Sequence, residues 1–174
     1  MVPCVCPTSE DELVEETAVN THQVQIARAD IGSDVAVALI RALNRELSRR
    51  YQEVGANHFR LDSEEVGEGR GAFVIAYADR TPVGCGAVRL LDRDTAEIKR
   101  MYVKPALRGR GIARRVLASL EAEARSLGVK RVLLETGERQ PEALALYSHS
   151  GFSRIPAFGE YLGSPLSLCM GKKL

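Results

Sequence analysis

The sequence predicts a mixed α/β fold of the α+β kind, one mostly antiparallel central sheet of about six to seven strands flanked by about four helices. Three observations predict it. Between Gly71 and Val103, three apolar runs rich in β-branched residues are separated by short polar turns, the pattern of an antiparallel meander. Helical stripes before and after that block each carry one apolar face, which needs a sheet to cover. The stripe after it leads into a short buried-type strand, KRVLLET, and a strand-helix-strand connection sets its two strands parallel.

Size and charge fit a single domain. The chain has 174 residues, 45% of them apolar, enough to bury one core. With 24 Lys and Arg against 23 Asp and Glu, the net charge of +1 gives no general pull toward nucleic acid or an anionic membrane, so any anion site must be local. The longest uninterrupted apolar run, Ala72 to Ala78, is far short of the roughly 20 residues that span a bilayer. The start, MVPCVCPTSEDELVEE, lacks the basic stretch and apolar core of a secretory signal, so a soluble, cytoplasmic protein is expected. Residues 1–20 combine prolines with an acidic cluster and read as a flexible tail, leaving residues 21–174 as the domain.

The elements follow in order. Gln23 to Ala29 alternates as a first strand, and Ser33-Asp34 caps a helix whose Ile40, Leu43, Leu47 and Tyr51 recur at helical spacing. Asn57 to Arg70 is a polar connection with one short helix near Ser63. The meander then runs GAFVIAYA, a turn at Asp79 to Pro82, VGCGAVRLL, a turn at Asp92 to Asp94, and TAEIKRMYV. Gly84 and Gly86 inside the middle strand point to a bulge or to something approaching the backbone. Pro105 ends the third strand because it cannot donate to a ladder. Next, Ile112, Val116, Leu117, Leu120, Ala124 and Leu127 form one helix face, opposite Arg114, Arg115, Glu121, Glu123 and Arg125, and Gly128 stops the helix. After KRVLLET, Gln140-Pro141 opens a helix with proline in its first turn, ending near Ser150-Gly151. Phe152 to Ile155 and Leu166 to Met170 supply the last two strands.

No metal site is expected. Cys4, Cys6, Cys85 and Cys169 show neither a disulfide framework nor zinc spacing, and His22, His58 and His149 stand apart. Cys85, flanked by glycines with no histidine to activate it, reads as a small core residue and not as an acyl-accepting nucleophile.

The densest chemical signal is Arg108-Gly109-Arg110-Gly111-Ile112-Ala113 at the mouth of a helix. A helix N-terminus carries unpaired N–H donors and partial positive charge, glycines allow unusual backbone angles and close approach, and arginines add forked donors. Together they suit a diphosphate. Gly111 is followed by Ile112 where a P-loop needs Lys-Ser/Thr, and Arg114 stands where a dinucleotide fingerprint needs its third glycine.

In register, Arg108, Gly111 and Ala113 resemble the Arg/Gln-x-x-Gly-x-Gly/Ala signature of the GNAT superfamily of acetyl-CoA-dependent N-acetyltransferases. Ala143, Leu146, Tyr147, Gly151 and Phe152 match that family's second signature, with Gln140 where it often has Asn. The resemblance implies a GNAT-like sheet splayed in the middle and acetyl-CoA as cosubstrate. It places the diphosphate on Arg108, Gly109, Arg110, Gly111, Ile112 and Ala113, and the pantetheine arm beside Met101, Tyr102 and Val103, with a backbone N–H near Met101 polarising the thioester. It implies Tyr147 as the acid at the thioester sulfur and Glu97, in Ala-Glu-Ile, as the base, with a water relay as the alternative.

The activity implied is transfer of acetyl from acetyl-CoA to an amine by direct attack in a ternary complex; a non-catalytic acyl-CoA sensor or interaction module is the alternative. The acceptor is a small-molecule or peptide amine, polyamine-like, amino-acid or peptide N-terminus. Its wall is expected from Tyr51 to Arg70 and from Ile155 to Tyr161, where Glu160 is either an attractor for a cationic amine or a solvated carboxylate. No nucleic-acid or membrane partner is implied, and a homodimer is left open.

Overall fold

The computed structural model describes residues 23–53 and 61–174. The tail expected over residues 1–20, with Cys4 and Cys6, lies outside them, as do His22 and His58.

The described chain runs β1 (Val24–Arg28), α1 (Asp34–Arg50), a 3₁₀ turn (Ser63–Val66), β2 (Gly71–Ala78), β3 (Thr81–Asp92), β4 (Thr95–Val103), α2 (Ile112–Ser126), β5 (Arg131–Gly137), α3 (Pro141–His149), β6 (Ser153–Arg154) and β7 (Ser167–Lys173). The strands form one seven-stranded sheet in the order β1-β2-β3-β4-β5-β7-β6. Every neighbouring pair is antiparallel except β4 and β5. The predicted class therefore holds, with three α-helices among the described residues where about four were expected.

Strand parity builds two core layers. In β2, Val74 and Ala76 join the cluster under α2, with Val116, Leu117 and Leu120, while Phe73 and Ile75 join the cluster under α1, with Ala36, Leu39 and Leu43. Ser33 starts α1 as predicted, its hydroxyl accepting from Ala36 N–H at 3.3 Å. The apolar stripe of α1 is rotated from the expected one: Ala36, Leu39 and Leu43 are buried, whereas Leu43, Leu47 and Tyr51 face a cavity. Leu43 belongs to both, so the helix serves core and site together.

The β2–β3 hairpin closes on two residues, Asp79 and Arg80, both with positive φ (46° and 64°). That is the twist-compatible hairpin geometry, and it lets β3 begin at Thr81, earlier than Pro82 suggested. The anticipated irregularity at Gly86 is a bulge in β4: the register steps from Cys85↔Tyr102 to Ala87↔Lys99, with Arg100 at φ 57°. What approaches Gly86 is the chain itself, since a Cβ there would lie 2.7 Å from Leu120 Cδ1 and 3.0 Å from Val116 Cγ1. Glu121, read as part of the polar face of α2, is instead buried and accepts from Lys172 Nζ at 2.7 and 2.9 Å.

One feature of the sheet positions the site. β4 pairs with β5 only from Thr95↔Arg131 to Ile98↔Leu134, yet β4 continues on β3 to Val103 and β5 continues on β7 to Gly137. Beyond Ile98 the sheet is open down its middle.

Candidate active site

The open seam is bordered by two concavities. On the α2 side, a groove of about 600 Å³ is lined by Met101, Tyr102, Val103, Arg108, Gly109, Gly111, Ile112 and Ala113, eight of the nine residues expected to hold the cosubstrate. Arg110 is exposed and does not line it. On the α1 side, a cavity of about 110 Å³ is lined by Leu47, Tyr51, Lys99, Arg100, Glu135, Tyr161 and Ser167, among others. Leu43, Met101, Gln140 and Tyr147 line both. Those four mark the passage between them.

At the helix mouth, Gly109 and Gly111 adopt φ of 75° and 76°, and Gly111 is the N-cap of α2. A Cβ at either position would meet nothing within 4 Å, so within the protein itself it is the backbone angle, not crowding, that favours glycine there. The first bond of α2 runs from Arg115 N–H to Gly111 O at 3.2 Å, leaving the N–H groups of Ile112, Ala113 and Arg114 without an acceptor inside the helix. Arg108 is engaged already. Its Nε donates to Val103 O at 3.0 Å, and its two terminal nitrogens donate to Glu46 at 3.0 and 2.5 Å, tying the loop to α1 and holding the Glu46 carboxyl below its ordinary range. The backbone, then, offers the unclaimed donors for a diphosphate.

Tyr147 reaches the passage because of how α3 ends. Gly151 N–H donates to Ser148 O at 3.1 Å and Phe152 N–H to Tyr147 O at 3.0 Å, with Gly151 at φ 87°. These are the two bonds of a Schellman motif, and its apolar contact is the Tyr147–Phe152 ring pair at 5.8 Å. The spacing Leu-Tyr-x-x-x-Gly-Phe is therefore a helix terminator that fixes the tyrosine. Burial pushes the Tyr147 phenol upward and the charge of Glu135 adds to it, so the hydroxyl keeps its proton at neutral pH.

Glu97 is placed differently from Tyr147. It is fully buried and belongs to neither concavity at the passage. Its carboxylate accepts from Arg89 Nε at 2.7 Å and from Tyr161 Oη at 2.5 Å, with Lys99 Nζ at 3.7 Å. Glu160 completes this cluster by pairing with Arg89 at 3.0 Å and with Lys99; its side chain stays 35% exposed and does not line the cavity, so it is a partly solvated partner of these cations. Together these pairs fasten the 155–161 loop to β3 and β4, which puts Tyr161 on the cavity wall.

Glu135 is the residue that sequence reading passed over. It lies on β5 just past the last β4–β5 pair, in the cavity next to Tyr147's side of the seam. Desolvation raises its pKa, opposed by a Ser167 hydrogen bond and by Lys99. In KRVLLET it looked like one polar residue of a buried strand; only the loss of pairing after Leu134 gives it a cavity to face. Cys85 is buried in the α1-side core with its thiol pushed up to about 12, which leaves no thiolate for catalysis. Among the described residues no cluster of His, Cys, Asp and Glu could hold a metal, and no helix is long and apolar enough to cross a membrane.

In sequence and in fold the chain is similar to known acetyltransferases. Residues 37–152 match the Acetyltransferase (GNAT) family, about two thirds of the chain. An IAA acetyltransferase of Azospirillum brasilense is 41% identical over 152 residues, 87% of this chain and 98% of that protein. A Klebsiella pneumoniae structure provisionally assigned as an acyl-CoA N-acyltransferase is 32% identical with a TM-score of 0.73, covering 87% of this chain and 97% of its own. A GNAT acetyltransferase of Elizabethkingia anophelis with acetyl-CoA bound shares the fold at 18% identity and a TM-score of 0.64, over 88% and 99% of the two chains.

Proposed function

Because the chain belongs to the acetyltransferase (GNAT) family, we propose that it transfers acetyl from acetyl-CoA to an amine by direct attack within a ternary complex. The observation that carries this reading is the meeting of groove and cavity at Met101, Gln140 and Tyr147, on the seam where β4 and β5 part. A thioester held along the groove would present its carbonyl there, and an amine in the cavity would reach it.

The first-turn N–H groups of α2 hold the diphosphate. The edge of β4 from Lys99 to Val103, which no strand of the sheet takes up on the β5 side, offers main-chain groups to the amides of the pantetheine arm, and Met101 N–H donates to the thioester carbonyl as charge develops on it. An alkylammonium with a pKa of about 10 must lose a proton before it attacks. We assign that proton to Glu135, whose desolvated carboxylate is a better base than an exposed one, and give Glu97 a positioning role through Tyr161. As the new N–C bond forms and the C–S bond breaks, Tyr147 donates a hydrogen bond to the departing thiolate. Its raised pKa lies above the roughly 8.5 of a free thiol, so it stabilises the thiolate without passing over its proton, which solvent supplies.

The test is release of free thiol with a panel of amines, alongside calorimetric titration of acetyl-CoA. Tyr147→Phe is expected to lower kcat about 100-fold or more while leaving acetyl-CoA affinity within about threefold. Unchanged kcat would remove Tyr147 from the chemistry. Acetyl-CoA binding without turnover on any amine would replace the enzyme with a non-catalytic acyl-CoA sensor.

A further inference from the structure

On the acyl-transfer reading above, the charge lining the α1-side cavity identifies the class of acceptor. In a regular strand successive side chains alternate between faces, so consecutive residues do not share a wall. Lys99, Arg100 and Met101 nevertheless all line this cavity. The bulge is the reason. Opposite Gly86, Arg100 holds a φ of 57°, a left-handed conformation unusual for a residue with a side chain, and a bulge of this kind re-aims the side chains around it. Backbone strain of this sort collects where a binding site requires it.

Among the described residues, the charged side chains of the lining are Lys99, Arg100 and Glu135, with Lys99 paired to Glu160 and 3.7 Å from Glu97. Both cations are steadied from the side: Lys99 by Glu160, and Arg100 by a 3.1 Å hydrogen bond from Nη1 to Asn44 Oδ1. Burial disfavours the charged form of Arg100, and a guanidinium short of water gains most from a forked pair with a carboxylate. A polyamine entering here would bring several positive charges toward the Arg100 guanidinium, with Glu135 as the one carboxylate among the described lining residues. An amine that carries its own carboxylate would bring one charge of each sign, its ammonium toward Glu135 and its carboxylate toward Arg100. The space is small: about 110 Å³, against roughly 10–15 Å³ for one water on the same measure, holds a group of about ten non-hydrogen atoms.

We infer that the acceptor is a small amino-acid-like molecule, its carboxylate held by Arg100 with Lys99 beside it and its amine directed to Glu135 and the passage at Tyr147. This rests on the proposed acyl transfer and adds the acceptor's second charge to it.

Matched acceptors test it. Full-length protein with saturating acetyl-CoA is assayed for thiol release with each common amino acid, the primary amide and the decarboxylated amine of the best one, and spermidine. The acid is expected to exceed its amide in kcat/KM by about tenfold or more, chiefly through KM, with spermidine poorest. Arg100→Gln is expected to bring the acid-to-amide ratio to within about threefold, and Arg100→Lys to restore part of it. A purely structural role for Arg100 would depress both substrates alike and leave the ratio standing, which would overturn the inference. So would an amide or amine used as well as the acid, or turnover confined to spermidine. If acetyl-CoA binds but no carboxylate-bearing amine is consumed, the inference also fails. Loss of acetyl-CoA binding itself, measured on the same sample, would instead remove the acyl-transfer reading beneath it.

Discussion

Gly111 separates two demands that one glycine meets at the helix mouth. The residue has φ 76° and ψ 1°, and a Cβ placed on it would extend into space that borders the α2-side groove. Gly111→Ala forces a left-handed alanine, which costs about 1–2 kcal/mol, offset by about 0.4–1 kcal/mol from the narrower unfolded ensemble. The net loss is at most about 1.6 kcal/mol, a fall in Tm of up to roughly 6 °C for a domain of this length. Gly111→Asn should lose less stability, because asparagine tolerates this conformation. For acetyl-CoA the two should behave alike, since each puts atoms where the diphosphate must approach the N–H groups. Losing one charge-assisted hydrogen bond of about 1.5–3 kcal/mol weakens Kd by about 10- to 150-fold. Thermal melts and calorimetric titration of both variants read the two effects independently. If both bind acetyl-CoA as tightly as the unaltered protein, the diphosphate does not lie on this helix, and the placement of the thioester falls with it.

Glu135 makes a prediction in pH. Its folded pKa is raised by burial, so kcat/KM should fall on the acid side with a midpoint above the ordinary value of 4.5, and Glu135→Gln should remove that limb and lower the plateau by about 100-fold or more. The stability sign is the opposite of a salt-bridged carboxylate's. A raised folded pKa means stability is full below the unfolded pKa and declines as pH rises through the folded one, so Glu135→Gln should raise Tm at pH 8 and change it little at pH 4. A Tm gain confined to pH 4 would contradict the burial argument. Cys85→Ala should keep turnover within about threefold while losing about 1 kcal/mol of stability, from urea melts, because a small buried side chain is truncated. Turnover lost in that variant with the fold intact would require an acyl-cysteine step.

Local rules made much of the fold readable before any coordinates. Ser33, Pro141, Gly128 and the alternation in GAFVIAYA act within a few residues, through caps, fixed φ and strand parity, and each element fell within a few residues of its expected place. The helix-mouth glycines were legible for the same reason, as was the helix end near Ser150-Gly151; that this end is the terminator holding Tyr147 came with the structure. Charge partners were not legible. Glu121 and Lys172 are 51 residues apart, and Glu97 is joined to Tyr161 across 64. A carboxylate's neighbours depend on which strands and loops come together, and parity in β4 is broken by the bulge at Arg100.

By itself, then, the sequence determined the sheet-and-helix class, the glycine-bearing helix mouth and the end of the helix near Ser150-Gly151, since these depend on backbone angles and periodicities written into adjacent residues, whereas Tyr147 was singled out by the family signature. Only the tertiary structure decided that Arg108 is spent on Glu46, that Glu97 is sealed among Arg89, Lys99 and Tyr161, and that Glu135 faces the cavity. The physical reason is that a charged group's solvation and partners are set by distances between segments remote in the chain, and here by the point, after Ile98 and Leu134, where two parallel strands stop pairing.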